Sequence, residues 1–420
     1  MKVDPRFLKE EGTEVFLGNE LIVKGLLETE GGTHLWTGYP GSPVSGFFDC
    51  IEAIQEIPKQ YGISAVLANN EALSAAMVNG SQMHGLRAMC VMKSVGLHVA
   101  TDALSLGNLA GAHPDGGVVV VVGDDPWSDS TQVPADSRFL CKHMFMPVLE
   151  PSTNQEMKDW VDIAFRLSRE SELYIAYLVT TNQADGGGSV QVGRNHFPRV
   201  NTHNPIQLDT SKVDFEKNVL LPPRTWRREQ NFPERYARLW ASARRHGVNQ
   251  IIPARGKDKA PLGFISSAMA HSYLEHALQQ LGLTGVFPLL KLGITYPLDP
   301  ELIQSFTGLA ENIVVVEERR GFLEEQVVQL LTQLTSAGRS PVPVYGKRFP
   351  SKLFPEGREG LPSTRGFNSS ILVESLAPLI LEWAAPKLKL DTSLLEDELR
   401  FLNDNRAIEI DLAPRTPTFC

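Results

Sequence analysis

An α/β protein built on a doubly wound parallel sheet, with a second and smaller α/β domain behind it, is the fold class that the sequence predicts. Three observations predict it. Strand-like and helix-like stretches alternate through the first 185 residues, as βα units in a parallel sheet require. One of these strands, "GGVVVVVGDDP", has five consecutive valines, the composition of a strand buried on both faces. The alternation breaks at "QADGGGSVQVG" and resumes near residue 259.

The elements follow in order. "THLWTGYPGSP" is a strand that ends in a Gly/Pro loop. "GISAVLANNEALSAAMVNGSQMHG" is strand, loop and helix, and "RAMCVMKSVGLHVATDALSLGNLAG" repeats that plan. After the valine strand, "PVLEPSTNQEMKDWVDIAFRLSRESE" gives a short strand, an N-cap at Ser152 or Thr153 and an amphipathic helix, and "LYIAYLVTT" gives a further strand. These make a domain over residues 1–190. Residues 191–258 are polar and rich in Pro, Asn and Arg, with one helical stretch, "PERYARLWASARRHG", and read as a connecting segment on the surface. The second domain, 259–390, runs from "PLGFISSAMAHSYLEHALQQLG" through "VFPLLKLGITYP", the helix "DPELIQSFTGLA", the strand "NIVVVEE" and the helix "FLEEQVVQLLTQL" to "SSILVESLAPLILEWAA". Residues 391–420 form an acidic, then Pro-rich tail.

Composition excludes several classes. With 420 residues, 42% hydrophobic and 21% charged, the chain can bury full cores. A net charge of −9 argues against nucleic-acid or membrane-surface binding, which both need a basic face. Cys50, Cys90, Cys141 and Cys420 form no CxxC pair, so the chain has no sequence signature for zinc or an iron–sulfur cluster. The start has no apolar signal region and no apolar run approaches membrane-spanning length, so a reducing cytoplasm is the default compartment. No GxGxxG or GxxxxGK[ST] follows a strand, and no GxSxG elbow occurs.

Ligands of open parallel sheets bind at the carboxyl ends of the strands. Four loops lie there: "GYPGSP" (38–43), "ANNEA" (68–72), "KSVGLHVATD" (93–102) and "GDDPWSDSTQVPADSR" (123–138). Glu71 is the lone charge in a small, apolar stretch, and it either caps its helix or does chemistry. "GYPGSP" also fits a plain tight turn. Lys93 also fits a solvated cation at a strand end, and His98 and Asp102, four apart, fit a helical ion pair. Asp124 and Asp125 read as a loop-to-helix entry more readily than as metal ligands. Arg138 fits a surface pair with Asp136 or Asp129.

Taken together, "GYPGSPVSGFFD", "NNEALSAAMVNGSQMHGLRAMCVMKSVGLHVATDAL" and "VVVVVGDDPWSDSTQVPADSR…MPVLEPSTNQE" resemble the pyrimidine-binding domain of the 2-oxoacid:ferredoxin oxidoreductases, the indolepyruvate-type alpha subunit above all. "KLGITYPLDPELIQSF", "VVVEE" and "FLEEQV" are similar to that subunit's second domain, which implies a transketolase C-terminal-like α/β domain there, so the resemblance covers most of 15–330. The family uses thiamine diphosphate. The resemblance implies that Glu71 is the glutamate whose carboxyl bonds the aminopyrimidine ring, and a carboxyl in an apolar setting shares a proton with a ring nitrogen readily. Small neighbours such as Ala72, Ser74, Ala75 and Ala76 would let the ring approach. It implies that Tyr39, Pro40, Gly41, Lys93, Gly96 and Leu97 flank the cofactor. It places Ser42, Arg138 and His98 near the substrate, with Arg138 as the fork for its carboxylate. His98 stands where relatives are expected to carry Asn.

The resemblance further implies a 2-oxoacid substrate, coenzyme A as co-substrate, ferredoxin as acceptor, a beta subunit, and a homodimer or heterotetramer. No GDG…N motif for Mg²⁺ is present, and "GDD" lacks a suitable Asn downstream. The diphosphate-binding domain, its Mg²⁺ and the iron–sulfur clusters are therefore expected outside these 420 residues, in a missing region or a partner. A thiamine-dependent decarboxylase or carboligase component and a non-catalytic scaffold are the other readings. Joint retention of Glu71, Ser42 and Arg138 favours an enzyme.

Overall fold

The computed structural model describes residues 3–406 apart from 130, 208, 210, 212–218, 257, 337–340, 351, 352 and 354–359. The chain divides between Gly247 and Val248 into two units. In the first, β1 (Thr13–Leu17) pairs antiparallel with β8 (Gly187–Gln191). The parallel strands are β2 (Leu35–Gly38), β3 (Ser64–Leu67), β4 (Arg87–Lys93), β5 (Gly117–Asp124), β6 (Val148–Leu149) and β7 (Ile175–Thr180). They lie side by side in the order β6-β7-β5-β4-β2-β3.

Sequence composition explains this order. The valines of β5 and the apolar run of β4 are fully buried, which suits central strands covered on both faces. β3 carries an exposed Val66 and Leu67 and sits at the edge. From β2 the chain steps to β3 on one side, then returns to β4 on the other. Right-handed crossovers therefore put α4 (Glu71–Ser81) and α5 (Ser94–Ala110) on one face. On the opposite face α1 (Gly18–Glu28) packs against α7 (Asn154–Ser171). Thr153 is the N-cap of α7, accepting from Glu156 N–H.

Two stretches differ from the sequence reading. The polar segment contains helices Arg224–Gln230 and Phe232–Arg245, which lie on α5 and α7 of the first unit. Arg235 of the second helix donates to the carbonyl of Asn108 at 2.6 Å, an anchor that residue type alone does not announce. Residues Gln250–Ile252, expected in the connecting segment, form strand β9. At three residues, one of them polar, it is too short to show periodicity.

The second unit has a five-stranded sheet. Its order is β14 (Val344–Tyr345), β13 (Ala310–Val316), β10 (Ala260–Ser267), β11 (Leu289–Leu292) and β9, with only β9 antiparallel. Its core gathers Phe264, Leu274, Phe287, Val314 and Leu376. The expected tail includes a helix, Ser393–Arg406, whose Leu395 joins that core; residues 407–420 lie outside the described part.

Candidate functional site

The sheet of the first unit reverses its winding between β2 and β4, which is the topological switch point where open α/β sheets bind ligands. The loops after β2, β3 and β4 all leave the sheet at this end. The four loops singled out in the sequence are therefore neighbours in space.

Glu71 is the first residue of α4, and it does not cap it. The cap is Asn70, whose side chain accepts from Leu73 N–H at 2.9 Å. Glu71 is half-buried, and among the described residues its carboxylate has neither a hydrogen bond nor an ion pair. It lies against Gly96, in the first turn of α5. A Cβ at Gly96 would fall 2.3 Å from Glu71 Oε1, so only glycine leaves the carboxylate its place. On the far side, Gly41 packs on the stem of Lys93: a Cβ there would sit 2.5 Å from Lys93 Cδ. The side chain of Lys93 has no hydrogen bond or ion pair among the described residues. Gly41 with Lys93 and Gly96 with Glu71 thus form two close contacts near the switch point, with one carboxylate and one ammonium that are unpaired among the described residues.

The loop after β5 is held differently from the sequence reading. Arg138 is buried, and its fork is already used: Nε and Nη2 donate to Oδ1 and Oδ2 of Asp136, both at 2.8 Å. The surface pair weighed for Arg138 is therefore a buried, bidentate one. Asp124, at the end of β5, accepts from Ser137 N–H at 2.9 Å and from the Ser137 hydroxyl. Burial, reinforced by the nearby Asp136 carboxylate, pushes the Asp124 carboxyl up to about 7 against the opposing hydrogen bonds from Ser137. Asp125 Oδ2 accepts from Thr131 N–H at 3.1 Å. These acids tie Thr131 and Ser137 back to the strand end.

The remaining residues divide. Tyr39 and Pro40 are exposed at the rim, and Ser42 is half-buried in the same loop. Leu97 is fully buried within the unit, so its side chain packs rather than faces a ligand. His98 is exposed on α5, about 200° around the helix from Gly96. It forms no ion pair with Asp102 among the described residues, and it is not on the face that meets Glu71. One positioning residue escaped the sequence reading. Asn19, buried at the start of α1, donates from Nδ2 to the carbonyls of Pro43 (3.0 Å) and Ala184 (3.1 Å), tying the 38–43 loop to the segment after β7. Partners 24 and 165 residues away leave no local signal.

Comparison with known proteins bears on this arrangement. Residues 252–379 match the indolepyruvate oxidoreductase domain. The chain is 32% identical over 313 residues to "Indolepyruvate oxidoreductase subunit IorA" of Pyrococcus horikoshii, covering 74% of this chain and 46% of that protein. It is 30% identical to the subunit of the same name from Archaeoglobus fulgidus, covering 76% and 49%. For that of Methanothermobacter thermautotrophicus the identity is 28%, covering 90% and 56%. The chain thus spans about half the length of the curated relatives it matches. In fold it is similar to the 2-oxoglutarate:ferredoxin oxidoreductase from Magnetococcus marinus, solved with 2-oxoglutarate, coenzyme A and succinyl-CoA bound. The TM-score is 0.60 at 16% identity, over 80% of this chain and 62% of that one. By sequence, then, this chain is a homologue of the indolepyruvate oxidoreductase IorA subunits over about half their length.

Proposed function

We propose that the chain is the pyrimidine-side component of a thiamine diphosphate-dependent 2-oxoacid:ferredoxin oxidoreductase of indolepyruvate type, which converts a 2-oxoacid to an acyl-CoA. The observation that carries this reading is the unpaired Glu71 carboxylate at the switch point, lodged against a glycine. Its support from outside is the run of IorA relatives.

The residues fit the cofactor. A carboxylate with no competing donor can bond a ring nitrogen, and Gly96 and Gly41 keep side-chain bulk away from it. When bound, thiamine diphosphate supplies a carbon nucleophile and an electron sink for decarboxylation. Glu71 holds the proton between its carboxyl oxygen and the aminopyrimidine nitrogen. The backbone of Tyr39, Pro40 and Gly41 and the turn from Lys93 to Gly96 flank the ring. Lys93, whose stem packs on Gly41, contributes a positive charge at the end of β4, and Ser42 offers a hydroxyl to the substrate carboxylate. Arg138 gives Nε and Nη2 to Asp136, and its remaining N–H groups are the ones that would meet the substrate carboxylate. Mg²⁺, the diphosphate-binding domain and the iron–sulfur clusters are assigned to a region outside these 420 residues or to a partner, with a beta subunit and ferredoxin as further partners. The cytoplasm is the proposed compartment; among the described residues no helix is long and apolar enough to cross a membrane.

The test is reconstitution. With a polypeptide that supplies the diphosphate domain and clusters, the chain should support thiamine- and 2-oxoacid-dependent reduction of methyl viologen, and Glu71→Gln should abolish it. Full activity in the Glu71→Gln protein would remove Glu71 from the chemistry.

A further inference from the structure

The opposite, amino-terminal end of the same sheet carries a cavity of about 530 Å³. Arg87 opens β4 there, His34 precedes β2, and the 196–206 segment passes across both. The seven residues of β4 put this cavity about 20 Å from Lys93 and the switch point. Its wall is a collection of donors. His34 Nδ1 accepts from Arg87 N–H at 3.0 Å, which leaves the imidazole proton on Nε2. Burial, with the charge of Arg87 and then His84, holds His34 down at about 4, so at neutral pH it is an uncharged donor. Arg87 Nη1 donates to the carbonyls of Gly31 (3.3 Å) and Gly32 (3.1 Å), but its Nε is buried with no partner among the described residues. The side chains of His196 and Arg199, also on the wall, have no hydrogen bond or ion pair among the described residues. The one carboxylate lining the cavity, Asp115, is 87% exposed at the rim.

Buried donors in folded proteins are nearly always satisfied, and an orphan such as Arg87 Nε calls for an acceptor. Here at least four donor-bearing side chains face one space in a chain of net charge −9. A carboxylate has two oxygens to offer them; a phosphate monoester has three and a second negative charge. A second cavity, of about 460 Å³, adjoins the first and shares His34, His84, Leu86, Val200 and Ile206 with it. Beyond these its lining includes Leu35, Met77 and Pro205. The combined space has a donor-rich end and an apolar end.

We propose that this paired cavity binds a small molecule with a phosphate monoester head and an apolar body, at a site separate from the switch point. Arg87 and His34 hold the phosphate, Arg199 closes over it from the exposed side, and the apolar body lies toward Met77 and Ile206.

The experiment is titration calorimetry on the 420-residue chain with n-octyl phosphate, inorganic phosphate, octanoate and 1-octanol. Octyl phosphate should bind one per chain. Each of the other three should bind at least about tenfold more weakly, the effect of losing one charged hydrogen-bonding group or the apolar contact. Arg199→Glu changes an exposed, unpaired side chain and should keep the fold while weakening octyl phosphate about tenfold or more. Ile206→Ser, which adds no charge to the shared wall, should weaken octyl phosphate and leave inorganic phosphate unchanged. Octanoate as tight as octyl phosphate, octanol as tight as either, unchanged affinity in Arg199→Glu, or no binding of octyl phosphate would each overturn the proposal.

Discussion

Glu71 and Asn70 stand side by side and do different work, and two substitutions separate them. Asn70 accepts from Leu73 N–H, so Asn70→Ala should cost about 1 kcal/mol of stability, as loss of an N-cap does. Glu71 makes no such bond, so Glu71→Gln should change stability by less than about 0.5 kcal/mol. Urea denaturation of the two variants checks the pair; a larger loss in Glu71→Gln would return Glu71 to a capping role. Asp124 gives a pH signature. Its carboxyl is raised to about 7 in the folded chain, so between about pH 4 and 7 the native state keeps a proton that the unfolded state has lost. This contribution to stability is complete below the unfolded value and disappears as pH rises through about 7, at about 1.4 kcal/mol per pH unit. Asp124→Asn should flatten the fall in urea midpoint between pH 5 and 7, and an unchanged slope would show that Asp124 is ionised throughout. At this scale the sequence was readable where chemistry stood out from its setting, as with one acid among small residues. Arg138 was less readable, because its partner Asp136 could only be ranked among candidates, and burial decides whether such a pair is loose or fixed.

At the scale of elements, α4 and α5 carry the site between them. A methyl group at Gly96 meets the far end of the Glu71 side chain, which can swing aside, and alanine favours a helix over glycine by up to about 1 kcal/mol. Gly96→Ala should therefore melt close to the parent protein yet lose viologen reduction in the reconstituted enzyme. Retained activity would show that the Glu71–Gly96 contact does not set the carboxylate position. The same helices have exposed apolar residues, with Leu73 on α4 and Val99 and Leu106 on α5, each about half exposed. Exposed patches of this kind mark association surfaces. The chain should self-associate in sedimentation velocity, and Leu73→Asp with Val99→Asp should shift it toward monomer; an unchanged distribution would place the contact elsewhere. The strands and long helices were legible because periodicity and the valine run are local properties. β9 and the seat of the 224–245 helices were not, because they depend on contacts far along the chain.

At the scale of the whole molecule, the chain matches about half of each IorA relative, and its candidate site offers a carboxylate and one unpaired lysine. Among the described residues no group of three or more His, Cys, Asp or Glu is placed to hold a metal ion. In the proposed reading the diphosphate and its Mg²⁺ are held outside these 420 residues, in a further region or a partner. The most direct test of the account is the rate of C2–H/D exchange of thiamine diphosphate, followed by NMR in the enzyme reconstituted from this chain and a diphosphate-binding partner. With the parent chain exchange should be fast, and with Glu71→Gln, folded and still associated, it should slow by orders of magnitude. Equal exchange rates for the two proteins would contradict the assignment of Glu71 as the cofactor's proton-holding carboxyl.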